Sequence, residues 1–332
     1  MRIWISAIVI LASAPALADA PDLKAIVEAH VLPGYRMLDE EAADLASAAL
    51  SDCRPDNPVL RAAYHDAFDA WVRVSHLRFG PSEHEDRAFA LAFWPDPRGS
   101  TPKSLAALVR DEDPIIGSRE GFATVSVAAR GFYALEFLLF DAHYIRMEGA
   151  VADYRCALIQ AVSNDISINA APILDDWQNG YSDLIGNPGN DVYRSPREAA
   201  RQFFTALSTG LEFTSGTRLG RPMGTFDRSR PKRAEARRSG RSLRHVILSL
   251  ESTHGLAMLL SGGDEGLKRA FGTAIRRATE LDDPVFAGVA DPQGRLRVEV
   301  LQQDIDDIRR LLAEGLGPSL GIAAGFNALD GD

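Results

Sequence analysis

Cysteine is almost missing from this chain: 332 residues hold two, Cys53 and Cys156. Two thiols about a hundred residues apart rule out a disulfide-dense scaffold and make a poor zinc site. They leave one intramolecular pairing, a Cys53–Cys156 bridge, against the alternative of two buried free thiols. Alternating β-branched runs are scarce, and helix-forming residues dominate, so the expected class is all-α. No H-E-x-x-H occurs, the pattern that puts two zinc-binding histidines on one helical turn beside a glutamate that activates water. No G-x-S-x-G element is read either. These gaps argue against hydrolysis.

Positive charge is also in deficit. The formal net charge is −10, from 36 Lys and Arg against 46 Asp and Glu. Such a chain lacks the positive field that general nucleic-acid binding needs. Hydrophobic content of 46% is ordinary for a globular protein with a full core.

The chain begins as a targeting segment does. Arg2 supplies a positive start, Ile3–Leu11 an apolar run too short to span a bilayer, and Ala16-Leu17-Ala18 a cleavage site. Cleavage after Ala18 is preferred to cleavage after Ala20, which would set Pro21 beside the scissile bond. Residues 1–18 are therefore expected to be a signal peptide, and the mature protein periplasmic.

Helical periodicity organises the rest. A first helix is expected over Leu23–Leu50, interrupted at Pro33-Gly34. A second opens at Asn57-Pro58, carries Leu60, Tyr64, Ala67, Trp71 and Val74 on one stripe, and stops at Gly80-Pro81. Glu83–Gly99 reads as loop, Ser104–Val109 as a short helix, Ser118–Phe140 and Ala150–Gly180 as longer ones. The Gly-, Asn- and Asp-rich stretch near Asn179–Ser195 is the best boundary, giving bundles over 19–185 and 186–332. Ser195-Pro196-Arg197-Glu198 is a capping box opening a helix to about Arg218. Further helices are expected near 242–260, 266–281 and 296–314.

The segment RGFYALEFLLFD, Arg130–Asp141, holds the most informative pair. Tyr133 and Glu136 share a face of an otherwise apolar helix by their i, i+3 spacing. A carboxylate there needs a donor, a counter-charge, a metal or a proton. The bland reading is a buried pair with Glu136 neutralised by Arg78, Arg130 or Arg241. Other polar groups in range by sequence are His65, Asp66, Asp69 and His76 on the second helix, and Glu83, His84, Glu85 and Asp86 after it. Their bland reading is solvated helix and loop. Arg218–Arg244 concentrates ten basic residues among Gly, Pro, Ser and Thr. It could grip an anionic ligand, a haem propionate or an acidic exported partner, with Arg238 and Arg241 the preferred contacts.

Six segments in order resemble the imelysin family of exported helical proteins, once grouped with metallopeptidases. They are Trp71 with Arg78-Phe79-Gly80-Pro81; Phe93-Trp94-Pro95; Gly131 to Glu136; Gly220 to Gly224; Arg238 to Ser242; and Gly325-Phe326-Asn327. The family motif is G-x-H-x-x-E, and Tyr133 stands where it has histidine. The resemblance implies two packed helical bundles, a site between them near the motif, and an association with iron acquisition or sensing. It makes Tyr133, Glu136, Arg78, Trp71, Trp94, Arg130, Arg238 and Arg241 the candidate ligand-binding residues. Tyrosine in place of histidine either ends metal binding or moves preference toward ferric iron, with Glu136 and Tyr133 as the metal ligands. Expected partners are exported redox or transport proteins. The competing readings are an interaction module docking through 218–244 and a degenerate metallopeptidase-like protein.

Overall fold

Every long element of this protein is a helix. The computed structural model describes residues 21–322, and no strand occurs among them; a lone bridge pairs Thr225 with Arg228. The expected signal segment and Gly325-Phe326-Asn327 lie outside the described residues.

Helix α1 covers 23–51 and does not break at Pro33-Gly34 as expected. A π turn, Val27–Val31, comes just before, and Pro33 falls in the first turn of Leu32–Ser51. The wider turn accommodates a residue that has no N–H to give. Helix α2 is Pro58–Val74; the Asn57 side chain accepts from the amides of Val59 and Leu60, the cap its sequence promises. The stretch read as loop after it includes a short helix, Arg87–Leu91. Helix α3 is Ser100–Asp111 and α4 is Gly131–Phe140. The helix expected from Ser118 is broken before α4 into Arg119–Ala123 and a 3-10 turn, Val127–Ala129.

Helix α5, Ala150–Asp176, runs on through a π turn, Trp177–Tyr181. Helix α6, Pro196–Glu212, starts at the Ser195 cap and runs on through a second such turn, Phe213–Leu219. Then come α7 (Ser242–Ser261), α8 (Glu265–Glu280) and α9 (Pro292–Leu311).

Packing sorts these into two groups. Helix α1 lies along α2 and α5, and α4 lies against α5; α6 packs on α7, α7 on α8, α8 on α9, and α9 back on α6. Each group closes a four-helix core with an apolar interior. The groups meet where α2 crosses α7. There Gly210 allows close approach: a Cβ on it would fall 2.6 Å from the Cβ of His76. Cys53 and Cys156 are bridged, with Cα atoms 5.2 Å apart, tying the end of α1 to the start of α5. No described helix is long and apolar enough to cross a membrane.

Candidate functional site

Helix α4 is short and almost wholly buried, as its composition demands; Phe132, Ala134, Leu135, Leu138 and Leu139 are fully buried. Gly131 fixes where it starts. Its φ of +71° is a left-handed conformation, and a Cβ would lie 2.2 Å from the Leu91 carbonyl oxygen and 2.3 Å from that of Ala90. Only glycine lets α4 begin against that backbone.

From this anchored start Tyr133 reaches the seam between the two helix groups. Its ring stacks near Trp94 at 6.0 Å and meets Phe68 edge-on at 5.2 Å. Its hydroxyl donates to Glu235, a residue that the sequence reading passed over inside the basic segment. Glu235 is 1% exposed and accepts from Arg218 Nε at 2.7 Å. Arg218 is equally buried, and its Nη1 donates to Ser249 at 3.1 Å and to Thr214 at 3.3 Å. His245 completes the cluster. It is fully buried, its Nδ1 lies 3.3 Å from Glu235 Oε2 without hydrogen-bond alignment, and both ring nitrogens lack a hydrogen-bond partner.

These contacts set the charges. Burial works to raise the Glu235 carboxyl, but the Arg218 guanidinium, with His245 and the Tyr133 hydroxyl, outweighs it and brings the group down to about 2. Burial pushes the Tyr133 phenol well above its ordinary 10, and the Glu235 charge adds to that. The phenol is a hydrogen-bond donor to a carboxylate that a guanidinium already neutralises.

Glu136 takes a different partner. Its Oε1 accepts from the backbone amide and the hydroxyl of Ser239, both at 2.9 Å. Burial raises its pKa, and the Ser239 bonds offset only part of that. None of the arginines expected to neutralise it does so. Arg78 is exposed and pairs with Glu83; Arg130 holds Asp165 through two bonds, 2.8 and 3.0 Å; Arg241 pairs with Asp69. Each finds a carboxylate nearer in the fold than Glu136. Arg238 pairs with Asp141 at 2.8 Å and covers the Phe137 ring.

Two cavities adjoin this cluster and share Trp94 and Tyr133 in their walls. The first, about 310 Å³, is lined from one helix group by Trp71, His76, Arg78, Trp94 and Tyr133, and from the other by Thr205, Thr209, Phe213 and Arg218. Four expected ligand residues therefore come together there. The second, about 320 Å³, takes Glu136, Phe137 and Arg238 with Arg221, Lys232 and Arg233. Arg130 and Arg241 line neither. His65 packs on Phe140 and its neighbour Asp69 is taken by Arg241 and Arg244, so that pair forms no ligand site. Glu83, His84, Glu85 and Asp86 are exposed, as in their bland reading.

His76, at the wall of the first cavity, meets His30 with Nε2 atoms 2.9 Å apart. That contact needs one neutral ring as donor and the other as acceptor. Burial holds His30 down to about 4 and His76 well below the ordinary 6.5, His30 adding to the latter. The folded protein therefore binds fewer protons than the unfolded chain between about pH 6.5 and 4. Stability from this pair is complete above that window and is lost as pH falls through it. Urea unfolding at pH 7 and pH 5 should show a drop that shrinks in a His30→Gln, His76→Gln double variant. An unchanged drop in that variant refutes the assignment.

The donor set does not fit a bare metal ion. Tyr133 and Glu136 were expected to act as one pair, yet the phenol engages Glu235 and the carboxylate engages Ser239. The nearest alternative, Tyr133 with Glu235 and His245, already contains the Arg218 cation. Among the described residues no group of three or more His, Cys, Asp or Glu could hold a metal. One sequence reading is corrected outright: Gly317-Pro318-Ser319-Leu320-Gly321 does have G-x-S-x-G spacing. It closes a helix rather than joining a strand to one, and Ser319 Oγ donates to the Leu316 carbonyl at 2.8 Å. That nucleophile motif works through a strand–turn–helix, which is missing here.

Two helical bundles with a polar cluster and cavity at their seam define a class of all-helical protein. The sequence profile of the imelysin family, filed among peptidases, matches residues 31–312. This chain belongs to the imelysin family. Its fold is similar to an imelysin-like protein from Psychrobacter arcticum 273-4, at TM-score 0.72 and 19% identity, covering 92% of this chain and 96% of that one. It is also similar to a putative iron-regulated protein A precursor from Parabacteroides distasonis ATCC 8503, at TM-score 0.73 and 12% identity, covering 94% and 96%. No curated protein matches the chain.

Proposed function

We propose that this protein is a periplasmic, non-catalytic binding component of iron acquisition or sensing, and that its ligand lies in the cavity between the bundles. One observation carries the reading: a buried Tyr133–Glu235–Arg218 cluster sits beside a 310 Å³ cavity whose other walls are Trp71 and Trp94. The volume falls at the lower end of small-molecule sites, and aromatic walls around a few fixed polar groups are what such sites use. The iron association is supported by the name of one structural relative, the iron-regulated protein A precursor. Because Arg218 already neutralises Glu235, the ligand in this reading is a complexed iron species, not a bare ion. The export step rests on the expected signal segment.

Tryptophan fluorescence tests it, since Trp71 and Trp94 both face the cavity. Compact ferric–chelate complexes such as ferric citrate should quench emission in the mature protein. Thr205→Phe, which fills the cavity from α6, should abolish the quenching and leave the unfolding midpoint unchanged. Equal quenching in both proteins, or none in either, removes the reading.

A second reading, docking of an acidic exported partner, is favoured by Phe226, 88% exposed in the basic loop beside Arg228. In it the loop cations outside internal ion pairs would meet the partner.

A further inference from the structure

Seven of the ten cations in the 218–244 segment fall into two sets, with Arg228, Arg230 and Arg237 in neither. Arg218, Arg238, Arg241 and Arg244 each hold an internal carboxylate. Arg221, Lys232 and Arg233 form no ion pair among the described residues, yet all three line the second cavity with Arg238. A protein of net charge −10 thus leaves three unpaired positive side chains facing one 320 Å³ space.

Lys232 and Arg233 reach solvent, while Arg221 is the more enclosed of the three. Burial lowers the Arg221 pKa, repulsion from Arg233 adds to that, and the Asp96 carboxylate offsets only part of it. Arg221 is also held in place: its guanidinium lies 5.6 Å over the Trp94 ring, and its Nε is buried with no hydrogen-bond partner. A planar guanidinium fixed on an aromatic face, with donors unused, is prepared for paired hydrogen bonds to an oxyanion. The two carboxylates in the wall form no hydrogen bond or ion pair with it, although the Asp96 charge is felt there. Asp96 accepts from the amides of Ser100 and Thr101, both at 2.8 Å, and Glu136 accepts from Ser239.

The geometry points to this cavity as a binding site for a small organic polyanion bearing two or more carboxylates. Arg221 and Arg233 grip separate carboxylates, Lys232 adds a point charge at the rim, and Trp94 forms the floor. The size of the cavity admits a compact molecule, and the number of cations selects against a single charge. The site adjoins the one proposed above and shares only Trp94 and Tyr133 with it.

Isothermal titration of the mature protein with citrate, inorganic phosphate and acetate tests the assignment. Citrate should bind at least tenfold more tightly than either of the others. Arg221→Gln and Arg233→Gln should each weaken citrate at least tenfold, with circular dichroism and unfolding midpoint retained. Arg228→Gln, outside the cavity, should change it less than twofold, and so should Thr205→Phe in the other cavity. No citrate binding, equal binding of phosphate or acetate, or wild-type affinity in Arg221→Gln overturns it. Because Thr205→Phe affects only the first cavity, failure of one site is distinguishable from failure of the other.

Discussion

Removing either Glu235 or Arg218 alone should cost about 3–5 kcal/mol of folding stability, while removing both together should cost far less. The two side chains are 1% and 4% exposed, so each single change strands a charge where water cannot reach it. Glu235→Leu leaves Arg218 with only the Thr214 and Ser249 hydroxyls. Arg218→Met leaves a carboxylate with the Tyr133 hydroxyl as its one firm donor. In the double variant neither charge remains, and two apolar side chains of similar bulk fill the space. Urea unfolding of the four proteins gives the coupling energy directly. Single variants within about 1 kcal/mol of the parent would show that the pair is not desolvated as described. The same cycle has a functional side. If the cluster shapes the first cavity, ferric-chelate quenching should fall in the double variant even where stability returns.

The disulfide is the second large contribution. A bridge spanning 103 residues removes much of the unfolded chain's freedom, worth roughly 4–5 kcal/mol in a loop-entropy account and about 2–5 kcal/mol when such bonds are deleted from proteins. Reductant should therefore lower the urea midpoint of the native protein, and a Cys53→Ala, Cys156→Ala variant should start low and ignore reductant. Alkylation without reductant followed by mass measurement should show no modified thiol in the native chain. A midpoint indifferent to reductant, or two alkylated cysteines, contradicts the bridge. Because it fastens the end of α1 to the start of α5, its loss should loosen the bundle that carries α4.

Much of this architecture was legible in the residues. The all-α class followed from composition, and the caps at Asn57 and Ser195 from local hydrogen-bonding chemistry. The burial of α4 followed from its unbroken apolar character. Other features needed three dimensions. Nothing in periodicity marks where a π turn will absorb a proline, so α1 looked broken at Pro33. Gly131 looked like part of a motif, whereas its backbone conformation ends one element and begins the next. The site was half visible. Tyr133, Trp71, Trp94 and Arg78 were expected at a cavity and do line one. Their partners were missed because Glu235 is one of only two acids, with Asp227, in a strongly basic stretch, where composition argues for solvent exposure. Its counterpart Arg218 was counted as one cation in a run of ten. A signal was available: an isolated acid among arginines, three residues before the Arg238-Ser239-Gly240 turn, is the natural place for an internal ion pair.

The Phe213–Leu219 turn has a consequence for comparing this protein with its relatives. A π turn carries one residue more than the α-helix would use over the same rise. Deleting a single amino acid there would rewind α6 into regular form and leave the positions beyond it facing as they do now, because the wide turn absorbs the extra residue. A relative without the turn would carry one residue fewer here along the same backbone path. Alignments that run through this stretch without a gap can therefore match the wrong residue to Arg218, and counterparts of the buried cation are better sought by superposing backbones than by counting letters.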